Sequence, residues 1–160
     1  MRISQWRWLM SSLDSPGRGR ILAMDNVSLD IRSKTMAAVR SAGNRSTEGA
    51  LRARLVRAGI RGWRLNGNEL PGCPDFVFGK CKLAVFVDGC FWHGCPKCGR
   101  LPSSNTQYWV AKVGRNKTRD KRVSAELRRE GWHVVRIWEH QLRKSPRQAV
   151  DKILGVLLGT

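Results

Sequence analysis

No apolar run in this chain approaches the roughly 18 residues that a membrane-crossing helix needs. A membrane role is therefore not expected. The N-terminus has no uninterrupted apolar stretch of the kind a secretory signal uses, so the expected location is the cytoplasm. Acidic residues are scarce: 12 Asp and Glu stand against 30 Lys and Arg, for a net charge of +18. An enzyme of neutral substrates has no need of such an excess, which points to a polyanionic partner. Tyrosine occurs once, against seven tryptophans. Cysteine is present five times, an odd number that leaves a disulfide framework incomplete. Three of the five fall close together, which reads as a metal site in a reducing compartment.

What the chain does contain is concentrated in Val87-Asp88-Gly89-Cys90-Phe91-Trp92-His93-Gly94-Cys95-Pro96-Lys97-Cys98. Twelve residues hold three thiols, an imidazole, a carboxylate and two adjacent rings. They follow a run of strand character, Leu83 to Val87.

The 160 residues suit one core. Residues 1–30 mix Arg, Trp, Ser and Gly without a sustained period, and Ser15-Pro16-Gly17 breaks any helix. They are expected to form a disordered extension outside a single domain of residues 31–160. Met24 is a candidate start, and a basic arm touching DNA is the alternative reading. Ser33 to Val39 is a candidate helix. Ser46 or Thr47 can cap a second helix carrying Leu51 and Leu55, with Glu48 at its positive end and Gly59 as its stop.

Trp63 to Leu65 is a short strand candidate, and Leu70 to Pro74 a turn. Asp75 to Phe78 and Leu83 to Val87 form a hairpin around a tight Gly79-Lys80 turn, in the middle of a sheet. Thr106 to Arg129 is a long helix that Gly114 and the polar run Arg115 to Arg122 threaten to break. It stops at Gly131. His133 to Trp138 is a third strand, with Glu139 and His140 leaving its end. Pro146 opens a last helix. This order gives an α/β fold, a mixed central sheet flanked by helices.

Cys90, Cys95 and Cys98 supply three thiolates to one cation, and structural zinc takes four N/S ligands. His140, at the end of a strand, is the expected fourth. Among the remaining polar groups, Asp75, Asp88, His93, Glu48 and Asp120 are candidates for chemistry. A carboxylate at a strand start, as Asp75 is, can hold a hard cation such as Mg²⁺. His93 can deprotonate a water.

Leu70 to Val77, Val85 to Pro96, Trp109…Lys112…Asn116…Arg119-Asp120 and Gly131-Trp132…Trp138-Glu139 together resemble the very short patch repair DNA mismatch endonucleases. Arg32 to Met36 resembles the same family's N-terminal segment. The resemblance implies a restriction-endonuclease-like core with structural zinc. It implies a Mg²⁺-dependent nick 5′ to the thymine of a T:G mismatch left by deamination of 5-methylcytosine. The implied partner is mismatched double-stranded DNA, met by a monomer, with functional links to a DNA cytosine methyltransferase and to mismatch-repair proteins. By position, Asp75 and the Val87 carbonyl are the implied Mg²⁺ ligands and His93 the catalytic histidine, with Glu48 and Asp120 in support. Phe91, Trp92 and Trp109 match the rings that wedge into the duplex, and Met36 and Asn116 are further implied DNA contacts. Asp88 stands where some members carry a second histidine. Two rival readings are another nuclease on the same core and a non-catalytic zinc protein that binds DNA.

Overall fold

The computed structural model of the chain describes residues 47–159. The expected N-terminal extension, the helix at Ser33 to Val39, Met36 and the Ser46 cap lie outside the described residues.

Helix α1, Glu48–Arg57, buries Leu51 and Leu55, one turn apart. Its cap differs from expectation. Thr47 makes no side-chain hydrogen bond to the first turn, because its backbone (φ −116°, ψ −84°) is not in the extended conformation that aims a cap oxygen at those N–H groups. The other end follows the sequence. Gly59 takes a left-handed φ of +71°. Gly59 N–H then donates to Val56 O, and Ile60 N–H to Leu55 O, each at 3.0 Å. This Schellman geometry folds Ile60 back into the same core as Leu55.

Strands β1 (Arg64–Leu65), β2 (Phe76–Phe78), β3 (Leu83–Asp88) and β4 (His133–Trp138) form one sheet in that order. The first two pairings are antiparallel and β3 pairs with β4 in parallel. The expected central hairpin is thus β2–β3, but its connection is longer than two residues. A 3₁₀ turn spans Gly79–Cys81, and Lys82 closes it in the left-handed region (φ +43°) before β3 can begin at Leu83.

Helix α2, Thr106–Arg129, crosses from β3 to β4 without a break at Gly114. The reason is a stripe at helical spacing that faces inward: Trp109, Val113, Asn116, Asp120, Val123 and Leu127, all buried or partly buried. Apolar anchors hold both ends, so the basic run between them stays helical with its charges outward. Gly131 (φ +80°) ends α2 as Gly59 ends α1, with Trp132 N–H donating to Leu127 O at 2.9 Å. Glu139 and His140 do not simply leave β4. They open a short helix, α3 (Glu139–Lys144), ahead of α4 (Pro146–Gly159).

Alternation along the strands divides the interior in two. Phe76, Phe78, Val85 and Ile137 face α1 and α4. Ala84 and Phe86 face Val123 and Leu127 of α2. Functional groups on β3 therefore share the α2 side with Phe86. None of the described helices is long and apolar enough to cross a membrane.

Leu127 is fully buried where α2 meets the sheet. Leu127→Ala is expected to lower unfolding free energy by about 2–5 kcal/mol in denaturant titrations. A loss below about 1 kcal/mol would mean α2 is not seated there.

Candidate active site and metal centre

Phe86 lies beside Arg136 in the β3–β4 register, and Asp88 beside Trp138. Because alternate residues share a face, Asp88 and Arg136 emerge together on the α2 side of the sheet. There Arg136 grips Asp88 with two hydrogen bonds, Nε to Oδ2 at 2.7 Å and Nη2 to Oδ1 at 2.5 Å. It also reaches Asp120 Oδ1 of α2 at 3.2 Å. The guanidinium lies over the Phe86 ring, 4.7 Å from its centre. His93 completes the group: its Nδ1 is 2.6 Å from Asp120 Oδ2 and 3.5 Å from Asp88 Oδ1.

Asp75 immediately precedes β2 and reaches across the hairpin, where its Oδ2 accepts the Val87 N–H at 2.6 Å. Asp75, Val87, Asp88, His93, Asp120 and Arg136 border one cleft of about 160 Å³. All five expected catalytic residues are thus gathered around it, four on its walls and Glu48 as a hydrogen-bonded neighbour of Asp75.

The carboxylates have opposite electrostatics. Burial, with the negative charges of Glu48 and Asp88 nearby, pushes Asp75 up to about 7, although the Val87 N–H opposes the shift. Burial also works against the charged form of Asp120. There the hydrogen bond to His93 and the positive charge of Arg136 win, and its carboxyl sits below the usual range. For Arg136 burial again opposes the charge, and Asp88 with Asp120 more than offsets it.

Four rings form a contacting cluster, and one of them, Trp92, immediately precedes His93 of the cleft wall. Phe91 meets Trp92 at 5.0 Å and Trp109 at 5.1 Å between ring centres, edge to face. Trp92 and Trp109 are 6.0 Å apart, and Tyr108 extends the set, 5.1 Å from Trp109. Trp109 is buried, Phe91 and Trp92 are partly exposed, and Tyr108 is 55% exposed. Asn116 Nδ2 donates to the Trp92 carbonyl at 2.8 Å, so this amide holds the ring-bearing loop.

The loop after β3 closes on itself through Cys95 N–H to Cys90 O at 2.9 Å and Gly99 N–H to Cys95 O at 2.8 Å. Its three sulfurs lie 3.3, 3.5 and 3.5 Å from His140 Nδ1. Cys95 and Cys98 are 3.6 Å apart. A tetrahedron with metal–sulfur bonds of about 2.3 Å and metal–nitrogen bonds of about 2.0–2.1 Å has edges of about 3.5–3.8 Å. The four atoms therefore have the spacing that could hold zinc. Burial raises the Cys90 thiol to about 12. Burial acts the same way on Cys95, yet the Lys97 and Cys98 N–H groups and the adjacent sulfurs bring that thiol below its ordinary value. Glu139 supports the loop from α3, its Oε2 accepting the Cys90 N–H at 3.4 Å. Cys73 and Cys81 are not part of this cluster.

Sequence reasoning overlooked Arg136 and Tyr108. Arg136 could have been found as the one cation inside the apolar alternation of Val134 to Trp138, where a side chain on the helix-covered face needs a partner. Tyr108 carries no signal beyond adjacency to Trp109.

Comparison with known proteins gives a consistent picture. Residues 24–99 match the family model described as DNA mismatch endonuclease Vsr. The chain is 44% identical over 128 residues to the type II nicking enzyme V.NaeI of Lentzea aerocolonigenes, covering 76% of each chain. It is 43% identical over 120 residues to the type II nicking enzyme V.XorIIP of Xanthomonas oryzae pv. oryzae, covering 74% of this chain and 86% of that one. It is 36% identical over 114 residues to the DNA mismatch endonuclease Vsr of Escherichia coli, covering 70% of this chain and 71% of that one.

The raised Asp75 has a consequence for stability. Its folded value of about 7 exceeds the ordinary 3.8, so its contribution favours folding below about pH 4 and is lost as pH rises towards 7. Asp75→Asn should therefore stabilise the protein above pH 7, without added divalent cation, by on the order of 2–4 kcal/mol, and change little near pH 4. Urea melts at the two pH values test this, and an equal effect at both would contradict it.

Proposed function

We infer, from a chain that belongs to the DNA mismatch endonuclease Vsr family and is thus a DNA endonuclease, that it nicks one strand of double-stranded DNA 5′ to the thymine of T:G mismatches. The observation that carries this reading is the joining of Asp75 and a His93–Asp120 pair in one cleft, with the contacting rings of Phe91 and Trp92 directly preceding His93 on its loop. Relatives named type II nicking enzymes support cutting of a single strand. Such mismatches arise by deamination of 5-methylcytosine, which links this activity to a DNA cytosine methyltransferase and to mismatch-repair proteins. The net charge of +18 suits the polyanionic substrate. In this reading the enzyme acts as a cytoplasmic monomer. Residues 31–160 form one domain on a restriction-endonuclease-like core, with residues 1–30 outside it.

Asp75, with the Val87 carbonyl, is the proposed seat of Mg²⁺. The donor set fits: a buried carboxyl whose charged neighbours, Glu48 and Asp88, are themselves acidic favours a hard cation. Magnesium bound there would offset phosphate charge and acidify a water. His93 is the base. Asp120 accepts a hydrogen bond from Nδ1–H at 2.6 Å, which fixes the tautomer and leaves the other ring nitrogen to take a proton from the attacking water. Asp120, held below the usual carboxylate range, then steadies the imidazolium. Glu48 supports Asp75 from the first turn of α1, and Asp88 acts through Arg136.

Phe91, Trp92 and Trp109 are the proposed wedge. Opening a base step costs a few kcal/mol, least where pairing is already faulty, so intercalated rings favour a mismatch over matched DNA. Asn116 orients that wedge through the Trp92 carbonyl, and Met36 remains a proposed DNA contact. Cys90, Cys95, Cys98 and His140 hold structural zinc, which ties the wedge loop to α3.

The zinc reading is tested at Gly99. A Cβ there would lie 2.6 Å from Cys95 N and 2.9 Å from Cys90 O, both backbone atoms that cannot swing aside. The protein should carry one zinc per chain, and Gly99→Ala should weaken its retention against a chelator by about 10–100-fold. Equal retention by both proteins would refute the proposed site.

The catalytic reading is tested with a labelled T:G duplex and its T:A counterpart. A Mg²⁺-dependent nick beside the mismatched thymine alone is expected. His93→Ala should slow single-turnover nicking by about 10²–10⁴-fold while still binding the mismatch. Equal nicking of both duplexes would sink the mismatch assignment, and full activity in His93→Ala would remove the histidine from the chemistry.

A further inference from the structure

Asp88, His93 and Asp120 each offer one ligand atom, and these atoms all lie within 4.8 Å of one another. Two carboxylates and an imidazole at that spacing are a donor set for a divalent cation. A cation already holds the place. Arg136 engages both oxygens of Asp88, at 2.5 and 2.7 Å, and reaches Asp120 at 3.2 Å. Its stacking on Phe86 and its register beside that residue in the parallel β3–β4 pair fix it there. The Arg136 side chain is only 22% exposed. Asp75, in contrast, has acidic charged neighbours.

We propose that Arg136 is the resident cation of the Asp88–His93–Asp120 group, excluding a divalent ion from it and so reserving His93 for proton transfer. This rests on the reading of Asp75 as the seat of the catalytic cation. The chemical reason is competition for one lone pair. A neutral imidazole that binds a metal through one nitrogen gives up the donor proton on that atom, and with it the Asp120 hydrogen bond that sets its tautomer. Asp88, left without a positive partner, and Asp120, left with only the exposed Arg119 at 3.6 Å, would recruit a metal, and His93 Nδ1 would be its nearest nitrogen. Arg136 satisfies both carboxylates with N–H groups, which cannot coordinate an imidazole. It is thus a positioning residue: it acts on the reaction through Asp120 and His93. The planar guanidinium suits the task because it meets a carboxylate through two parallel hydrogen bonds, which a lysine ammonium cannot do.

The test counts bound Mn²⁺ by electron paramagnetic resonance on the zinc-loaded full chain at neutral pH, without DNA. Wild type is expected to bind one Mn²⁺, lost in Asp75→Asn. Arg136→Met is expected to gain a second, which a further His93→Ala removes. Arg136→Lys, which keeps the positive charge, should stay at one. Two ions on wild type that include the His93 site, or no gain in Arg136→Met, would overturn the proposal. Zinc content and circular dichroism matching wild type establish that the variant is folded. If Arg136→Met does not fold, Arg136→Gln is scored by the same count. Should Asp75 hold no ion, wild type binds none while Arg136→Met still gains the His93-dependent site. That result would uphold the role of Arg136 and discard the reading of Asp75.

Discussion

The parallel pairing of β3 with β4 is the constraint on which the rest depends. The chain leaves β3, makes the cysteine loop, runs the length of α2 and returns beside its own starting point, so that Cys90 and His140, 50 positions apart, end within 3.3 Å. The same pairing sets Phe86 beside Arg136. A slip of one residue would turn Asp88 and Arg136 to opposite faces and bury a lone charge in the α1–α4 core. The cluster of Cys90, Cys95, Cys98 and His140 sits just beyond the end of this pair. Metal binding there would hold the register from outside the sheet, while Val85, Ile137 and their neighbours hold it from within.

Charge is organised around the same two strands. Asp88 carries the arginine, Asp120 shares that arginine with the histidine, and Asp75 is left among acids. The cleft therefore contains two electrostatic regimes a few residues apart. One is internally neutralised and fixes a tautomer. The other is a buried carboxyl beside two further acids, Glu48 and Asp88. Neither could be made by composition alone, because the protein as a whole is strongly basic. It is burial that isolates Asp75 from the surrounding lysines and arginines.

Much of this was legible in the sequence. The boundaries of α2 and β4 follow from apolar spacing and from Gly131, and α4 from Pro146. The convergence of Cys90, Cys95, Cys98 and His140 could be read because thiols declare themselves and His140 stands at the end of a strand. Other features resisted for physical reasons. Thr47 has the right side chain for a cap, but capping depends on a backbone conformation that residue type does not dictate. Gly114 seemed able to break α2, yet Val113, Val123 and Leu127 pack the helix on both sides of it, and tertiary contact outweighs a propensity cost of about 1 kcal/mol. Arg136 went unnoticed since its meaning lies in cross-strand neighbours, which a linear pattern does not show.

The inward stripe of α2 carries Asn116 and Asp120 one turn apart. The first is tied to the carbonyl of Trp92, the second to the ring of His93, and those two residues are consecutive. One rigid rod thus grips neighbouring links of the same loop at two points. A displacement of the tryptophan is geared to a displacement of the histidine, with the helix as lever. In the proposed reaction, the element that feels the shape of the duplex and the element that moves the proton share a single mechanical train.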